Sequence, residues 1–230
     1  MGLSNIGDIK MNNLYEKILV GGTYAPWNKE KSFNEIYSLI KKNTLIDKYR
    51  CFELWKLIEE SKKLPSGDII EIGVFRGGSG ALIASQVKEC GIDATVYLCD
   101  TFTGTVKVGG NDPFYKNGEH SAGVEICEEL FSSMKLDNIK ILKGIYPDET
   151  GSRINRTEFR FCHIDVDTYE SAKDILEYLW YQMVSGGIVV FDDYGFNRCV
   201  GVTKYVEEQM RYLDRTVIYN LNGHAIVIKK

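Results

Sequence analysis

The fold is decided by residues 68–84, which have the sequence DIIEIGVFRGGSGALIA. The first part, 68–74, is a short apolar run that predicts a buried β-strand. A turn rich in glycine follows, and the residues after it predict a helix over about 79–90. In open α/β sheets, ligands bind beyond the carboxyl ends of the strands. This strand, turn and helix therefore predict a ligand-binding glycine loop.

Strand and helix patterns alternate along the rest of the chain. The apolar spacing predicts further helices at 32–42, 48–63, 172–183 and about 197–211, and one around Cys127–Met134. Ser185-Gly186-Gly187 is expected to end the helix at 172–183. Further strands are predicted at 95–99, 139–142, 159–164, 188–191, 215–220 and 223–229, the last two joined by a hairpin at Asn222-Gly223. This alternation indicates an α/β fold, with a mostly parallel seven-stranded sheet, helices on both faces and a C-terminal antiparallel hairpin.

Composition limits the class of protein. The chain has 230 residues, 44% of them hydrophobic and 26% charged, with a net charge of -4. This mixture predicts a folded chain and argues against binding to nucleic acid or to a membrane surface. No apolar run is long enough to span a bilayer, and the N-terminus lacks the pattern of a signal peptide. The six cysteines are scattered without a C-x-x-C pair, which is typical of reduced thiols in a cytoplasmic protein.

Two segments of different character are expected. Residues 1–31 are polar and weakly periodic, and Pro65-Ser66-Gly67 breaks the chain after the second predicted helix. We therefore expect an N-terminal arm and helical lid at 1–64 and a ligand-binding domain at 65–230. The 101–120 segment is a long loop, and loops of this length inside a compact domain are usually functional.

The residues of the glycine loop narrow the choice of ligand. A dinucleotide fingerprint starting at Gly73 needs glycine at position 75, which is Phe75, and a P-loop needs lysine after Gly78, where Ser79 stands. The loop suits a nucleoside with an amino-acid tail, although a tight turn without a ligand remains an alternative. Asp100 ends the second strand, where an acidic residue binds ribose hydroxyls.

Four aspartates follow two predicted strands. Asp165 and Asp167 end the strand at 159–164, and Asp192 and Asp193 end the next one. The carboxyl ends of neighbouring parallel strands meet at one sheet edge, about 4.8 Å apart. Clustered carboxylates repel one another unless a cation lies among them, and hard oxygen ligands favour Mg²⁺. The alternative, an N-cap role for Asp167, explains only one of the four.

A divalent cation beside a hydroxyl lowers the pKa of that hydroxyl and orients its oxygen. Methyl transfer to oxygen needs both effects, together with close alignment of the reacting atoms. The same carboxylates suit a metal-dependent hydrolase that activates water, so the residues alone leave this second reading open.

Four motifs together resemble the macrocin O-methyltransferase family, over about residues 45–230. They are EIGVFRGGSGALIA, CDTFTG, HIDVDTYESAKDILEYL and SGGIVVFDDYG. The resemblance implies a class I, Rossmann-like fold that uses S-adenosylmethionine and Mg²⁺ to methylate hydroxyls of sugars on natural products. It also leaves room for a homo-oligomer.

The resemblance assigns roles to individual residues. It implies that Asp165, Asp192 and Asp193 bind the metal, with Asp165 also close to the cofactor, and that Asp167 is the general base. His224, on the predicted last strand, is the alternative base. The remaining cofactor-binding residues implied by these motifs are Glu71, Gly73, Arg76, Gly77, Ser79, Asp100 and Phe102.

The chain departs from the family at several positions. Val166 stands where the family often has glycine, Thr168 stands where it often has leucine, and the loop after Gly104 does not follow the family pattern. The resemblance therefore implies a small sugar-type acceptor without fixing it to a macrolide. Two other readings stay open, a catechol-type O-methyltransferase and an inactive cofactor-binding partner module.

Overall fold

A computed structural model of the chain describes residues 23–154 and 158–230. Its seven strands form one sheet in the order β3-β2-β1-β4-β5-β7-β6. Strands β1 to β5 are parallel, and β7 pairs antiparallel with both β5 and β6. The predicted α/β fold with a C-terminal antiparallel hairpin is confirmed. The strands are β1 (Asp68–Ile72), β2 (Val96–Asp100), β3 (Ile139–Lys143), β4 (Phe159–Ile164), β5 (Met183–Phe191), β6 (Arg215–Tyr219) and β7 (Ala225–Lys229).

Six α-helices flank the sheet in the part of the chain that is described. They are α1 (Lys31–Ile40), α2 (Lys48–Ser61), α3 (Gly78–Glu89), α4 (Val124–Ser133), α5 (Tyr169–Leu179) and α6 (Val200–Gln209). Short 3₁₀ turns lie at Pro26–Lys29, Gly151–Arg153 and Trp180–Gln182. Within the described residues, none of the helices is long and apolar enough to cross a bilayer.

The order of the strands places the ligand crevice. Strand β1 pairs with β2 on one side and with β4 on the other, so the chain reverses its direction of winding between these two neighbours. Ligands bind at such a switch point, beyond the carboxyl ends of the strands. The glycine loop after β1 and the first aspartates after β4 therefore lie side by side.

The two N-terminal helices share a hydrophobic core with the sheet. Phe33 of α1 and Leu54 of α2 are fully buried in one cluster with Ile69 of β1 and Leu82 of α3. Burial of a large apolar side chain stabilises the folded state by about 1.5–3 kcal/mol. The division of the chain at residue 64 stays a prediction, and the first 22 residues of the expected arm lie outside the described residues.

The predicted boundary between the helix at 172–183 and the strand at 188–191 was wrong. The helix ends at Leu179, and strand β5 begins at Met183 instead of 188, with Met183 opposite Phe159 of β4. Gly186 has a φ of +77° and lies inside β5, at an irregularity in its pairing with β4. The Ser185-Gly186-Gly187 segment therefore forms a bulge in the strand and does not cap the helix.

The turn of the C-terminal hairpin is also longer than predicted. Tyr219 pairs with Ala225, so the turn has five residues instead of two. Gly223 has a φ of +99°, and the Asn220 amide donates to the carbonyl of His224 at 2.8 Å. His224 consequently lies in the turn, just before β7, and not on the strand.

Candidate active site

A cavity of about 280 Å³ opens at the carboxyl ends of the parallel strands. Three groups of residues surround it: the ends of β1 and β2, the segment after β3, and the acidic ends of β4 and β5. The α1–α2 connection and the long 101–120 loop cover it from outside. The described fold thus brings the glycine loop and the aspartates to one cavity, as the topology requires.

Gly73 allows β1 and β4 to end in close contact. A Cβ atom at Gly73 would lie 1.7 Å from the carbonyl oxygen of Asp165, and the φ of Gly73 is +89°. The Asp165 amide donates to the carbonyl of Ile72 at 2.9 Å and continues the strand pairing to this point. Only glycine fits here, because any side chain would separate the loop from the first aspartate.

Asp100 holds the glycine loop from the neighbouring strand. Its Oδ2 accepts hydrogen bonds from the amides of Val74 and Phe75 at 2.6 and 2.8 Å, and its Oδ1 accepts from Phe102 at 2.7 Å. Phe75 and Phe102 both have positive φ angles, 52° and 57°. The carboxylate therefore fixes two strained turns at the cavity, and Oδ1, which accepts a single hydrogen bond, keeps a lone pair for a ligand hydroxyl.

Three aspartates form the acidic part of the cavity. One carboxylate oxygen each from Asp165, Asp192 and Asp193 lies within 4.8 Å of the other two. Asp167 and Asp193 have φ angles of +62° and +61°. Non-glycine residues pay of order 1–3 kcal/mol for such a conformation, which structures retain mostly at functional sites.

Burial and mutual repulsion shift the pKa values of these carboxyl groups. Burial, and then the charges of Asp192 and Asp193, raises the pKa of Asp165 well above its usual range. Burial, and then the charges of Asp192 and Asp167, raises the pKa of Asp193 to about 7. Burial also works against the ionised form of Asp192, but His224 and Arg50 overcome it and hold the pKa of this carboxyl below its usual range.

Arg50 of helix α2 reaches the acidic residues. Its Nη1 donates to Oδ1 of Asp192 at 2.6 Å and to Oδ1 of Asp193 at 3.0 Å. Its Nε donates to Asp47, the residue that caps the start of α2. Buried beside these carboxylates, Arg50 is a fixed positive charge at the edge of the cavity.

Asp167 has a partner from the long loop. The hydroxyl of Tyr115 donates to Oδ1 of Asp167 at 2.7 Å and lies 3.2 Å from the Sγ of Cys199. Burial and the charge of Asp167 raise the pKa of Tyr115 far above its usual value, so the phenol stays protonated. Burial raises the pKa of Asp167 as well, although Tyr115 and His120 oppose this rise.

Two fully buried histidines lie behind the acidic residues. His163 Nδ1 is 2.9 Å from Oε1 of Glu71, and His224 Nδ1 is 2.6 Å from Oε2 of Glu53. The Nε2 of His224 is 3.2 Å from Oδ1 of Asp192. Burial disfavours the charged imidazole of His224, but the two carboxylates outweigh it and raise the pKa of this histidine.

The residues expected from sequence divide into two groups. Seven line the cavity: Gly73, Ser79, Asp100, Asp165, Asp167, Asp192 and Asp193. The other five lie around it: Glu71, Arg76, Gly77, Phe102 and His224. His224 was the alternative base, but its buried ring reaches Asp192 from behind and does not face the cavity.

The four other residues outside the cavity have structural surroundings. Glu71 is fully buried against His163, and Gly77 packs against Phe131 of α4. Arg76 is exposed and lies over the ring of Phe75, with 5.2 Å from its guanidinium carbon to the ring centroid. The buried Phe102 belongs to the hydrophobic core.

Sequence reasoning missed the role of helix α2. Neither Arg50 nor Glu53 is among the site residues expected from sequence. One signal was present in the chain, because Arg50 falls on the same helical stripe as Leu54 and Ile58, which are core residues. A charged residue on an apolar stripe indicates a buried partner elsewhere.

Two proteins with similar sequences are named as O-methyltransferases. Over 145 residues, the chain is 30% identical to 8-demethyl-8-(2,3-dimethoxy-alpha-L-rhamnosyl)-tetracenomycin-C 4'-O-methyltransferase of Streptomyces olivaceus, which covers 58% of this chain. Over 198 residues, it is 25% identical to mycinamicin III 3''-O-methyltransferase of Micromonospora griseorubida, which covers 77% of this chain. The chain spans about half the length of the first relative, 55%, and 77% of the second.

Solved structures share the fold. The O-methyltransferase NovP superimposes with a TM-score of 0.69 at 23% identity, over 82% of both chains. The calicheamicin methyltransferase CalS11 superimposes with a TM-score of 0.63 at 16% identity, over 90% of this chain and 94% of that chain. The family model described as Macrocin-O-methyltransferase (TylF) matches residues 40–220, which include the glycine loop and all four aspartates. The chain therefore belongs to the macrocin-O-methyltransferase (TylF) family.

Proposed function

We propose that this chain transfers the methyl group of S-adenosylmethionine to a hydroxyl of a sugar or sugar-containing small molecule, with the help of a divalent cation. The observation that carries the proposal is the meeting of Asp165, Asp192 and Asp193 at one cavity with the glycine loop. Methyl transfer requires the donor and an acceptor held by the metal to bind next to each other, so their two binding sites must be adjacent.

The residues around the cavity fit a nucleoside with an amino-acid tail. Gly73 of the loop lines the cavity, and Oδ1 of Asp100, which accepts one hydrogen bond, keeps a lone pair for a ribose hydroxyl. The hydroxyl of Tyr146 is buried, lines the same cavity and has no hydrogen-bond partner among the described residues. An unpaired buried hydroxyl costs about 1–3 kcal/mol, which a hydrogen bond to the adenosine portion would recover.

The donor set fits a hard divalent cation. Carboxylate oxygens are the ligands that Mg²⁺ and Mn²⁺ prefer. Burial, and then repulsion from neighbouring carboxylates, raises the pKa values of Asp165 and Asp193, and a divalent charge would favour their ionised forms. When bound, the cation would lower the pKa of the acceptor hydroxyl and would orient its oxygen.

Asp167 is the residue we assign as general base. It lines the cavity beside the cation ligands, and the hydrogen bond from Tyr115 holds one of its oxygens in place. Its backbone has a φ of +62°, a strained conformation that structures retain mostly at functional sites. Asp167 therefore takes the proton of the acceptor hydroxyl as the oxygen attacks the methyl group.

The acceptor class is inferred from the relatives and from exposed apolar residues at and next to the cavity lining. The tetracenomycin and mycinamicin enzymes are named for O-methylation, the former on a rhamnosyl-bearing substrate. Leu45 lines the cavity and is exposed, and the exposed Tyr49 and Phe114 directly precede the lining residues Arg50 and Tyr115. Apolar and aromatic surface of this kind suits the faces of a sugar ring or of an attached aglycone.

Calorimetric titration with S-adenosylhomocysteine, in the presence of Mg²⁺ and of EDTA, tests the cofactor and the cation separately. We expect nucleoside binding, and a Mg²⁺ signal that Asp192→Ala abolishes. Asp137→Ala is the matched control, because Asp137 is an exposed carboxylate whose side chain pairs only with the surface Lys88 among described residues. Absence of nucleoside binding under both conditions would exclude the methyltransferase proposal.

An acceptor screen with labelled S-adenosylmethionine then tests the substrate class. We expect methylation of deoxysugar glycosides or nucleotide-linked sugars, and none of simple catechols. Methylation of catechols alone would contradict the sugar assignment while leaving the cofactor and cation assignments intact.

A further inference from the structure

His224 connects two carboxylates that lie on opposite sides of its ring. Its Nδ1 is 2.6 Å from Oε2 of Glu53, and its Nε2 is 3.2 Å from Oδ1 of Asp192. The histidine is fully buried, and its side chain packs against His163 with 6.0 Å between ring centroids. The ring therefore has a single orientation, with one nitrogen directed at helix α2 and the other at the end of β5.

Glu53 is the anchor of this arrangement. Besides His224, it accepts hydrogen bonds from the side chains of Asn220, on Oε1, and Asn222, on Oε2. Both asparagines belong to the turn that carries His224, and the side chain of Asn222 also accepts from the His224 amide at 3.0 Å. One carboxylate of α2 thus fixes both the turn and the imidazole.

His224 lies at ion-pair distance from the carboxylate of Asp192, 3.2 Å, although its Nε2 does not have hydrogen-bond geometry toward any described residue. Both His224 Nε2 and Arg50 Nη1 approach the same oxygen, Oδ1. The side chain of Asp192 is 3% exposed, so water does not compete for this oxygen. With Oδ1 held, Oδ2 is available to a cation, because no described residue donates a hydrogen bond to it.

We propose that Glu53 and His224 are positioning residues that hold Asp192 in the orientation needed to bind the divalent cation. Glu53 orients the imidazole, and the imidazole fixes Asp192 through Oδ1. This arrangement resembles the carboxylate and histidine partners that orient metal ligands in other proteins, whose loss typically lowers metal affinity 10- to 100-fold. The inference rests on the proposed function, because it requires a cation at Asp192.

Titration calorimetry with Mn²⁺ and with S-adenosylhomocysteine tests the inference without any acceptor. His224→Asn is too short to reach Asp192, whereas the amide nitrogen of Gln in His224→Gln falls near the position of Nε2. We expect the Mn²⁺ affinity to fall about 10-fold or more in His224→Asn and to recover largely in His224→Gln. Glu53→Gln should weaken Mn²⁺ binding in the same direction.

Two comparisons separate positioning from general loss of structure. Asn220→Ala removes a contact on Oε1 of Glu53 and leaves the His224 contact on Oε2, so Mn²⁺ affinity should stay as in the wild-type protein. The affinity for S-adenosylhomocysteine should be unchanged in all four variants, because the glycine loop is separate from this turn. Equal Mn²⁺ affinity in wild type and His224→Asn would overturn the inference alone. No Mn²⁺ binding to the wild-type protein would overturn it together with the proposed cation.

Discussion

The Nη1 atom of Arg50 lies 2.6 Å from Oδ1 of Asp192, although 142 residues separate the two in the chain. The side chain of Arg50, on the second helix, thus places one positive charge beside the aspartates that follow β5. A bound divalent cation would act on the same carboxylate. Arginine and the proposed cation would therefore both stabilise this part of the fold, and the loss of one should increase the importance of the other.

Replacement of Arg50 by methionine should make the protein depend on the cation for stability. Removal of one partner of a buried ion pair typically costs about 3–5 kcal/mol, because the other charge stays buried without compensation. A cation that binds only the folded state recovers stability as its concentration rises above Kd. We expect a lower melting temperature for Arg50→Met, and a larger rise on addition of Mg²⁺ than in the wild-type protein, measured by scanning calorimetry.

Arg160→Met is the matched control for this experiment. Arg160 is buried to a similar degree, but its Nε donates to the carbonyl of Gly67 at 2.8 Å, at the other end of the sheet. This variant should lose stability without any added response to Mg²⁺. If Mg²⁺ raises the melting temperature of both variants equally, the stability contributed by Arg50 is not coupled to cation binding at Asp192.

Gly73 should tolerate no side chain. In Gly73→Ala, the new Cβ would overlap the carbonyl oxygen of Asp165 and force β1 and β4 apart. Gly91→Ala is the control, because its φ is also positive, +61°, but no atom lies within 4 Å of its Cβ position. We expect a loss of about 1 kcal/mol in unfolding free energy for Gly91→Ala, and a loss several times larger for Gly73→Ala, together with loss of S-adenosylhomocysteine binding.

Denaturant unfolding and calorimetry on the two glycine variants check this prediction. Similar losses of stability in both would mean that backbone conformation alone matters at Gly73. Retained binding of S-adenosylhomocysteine in Gly73→Ala would contradict the close approach of the loop to Asp165.

The acidic cluster could be predicted from sequence for a topological reason. Asp165 and Asp192 directly follow two strands that are adjacent in a parallel sheet, so their separation in space follows from the strand spacing. Gly73 was predictable in the same way, because it directly follows the first strand. These residues needed no information beyond the alternation of strands and helices.

The contacts of helix α2 depend on tertiary packing that periodicity does not contain. The spacing shows which face of α2 is buried, but not that Arg50 and Glu53 meet residues 142 and 171 positions away. The start of β5 was mispredicted for a related reason. Met183 continues the apolar spacing of α5, and only its pairing with Phe159 makes it part of a strand.

The acidity of Asp214 gives a prediction about stability and pH. Hydrogen bonding and charge from Arg215, followed by the indole N–H of Trp180, lower the pKa of Asp214 to about 2. A carboxyl group whose pKa is lower in the folded state stabilises that state above its unfolded pKa of about 3.9, and this contribution is lost as the pH falls toward the folded value. The residue is largely exposed, so the contribution at neutral pH is below about 1 kcal/mol.

Asp214→Asn should therefore be less stable than the wild-type protein at pH 7, with a difference that shrinks between pH 4 and pH 2, near the two pKa values. Urea unfolding across this range measures the difference. Asp93→Asn, a change at another exposed aspartate, is the control and should show a small difference with no such trend. A difference for Asp214→Asn that is constant with pH would contradict the prediction.

Tyr115→Phe should slow methyl transfer without weakening cofactor binding. The change removes the hydrogen bond to Oδ1 of Asp167, which is 2.7 Å long, and keeps the packing of the ring. Asp167 then loses the partner that holds it in the cavity, and we expect kcat to fall about 10-fold, equivalent to ~1.4 kcal/mol. The affinity for S-adenosylhomocysteine should not change.

Tyr181→Phe is the control for this prediction. It removes an equivalent hydroxyl from a side chain that is 88% exposed, and its kcat should equal that of the wild-type protein. Steady-state assays with an acceptor from the screen measure both variants, and an unchanged kcat in Tyr115→Phe would remove Tyr115 from the positioning of the base.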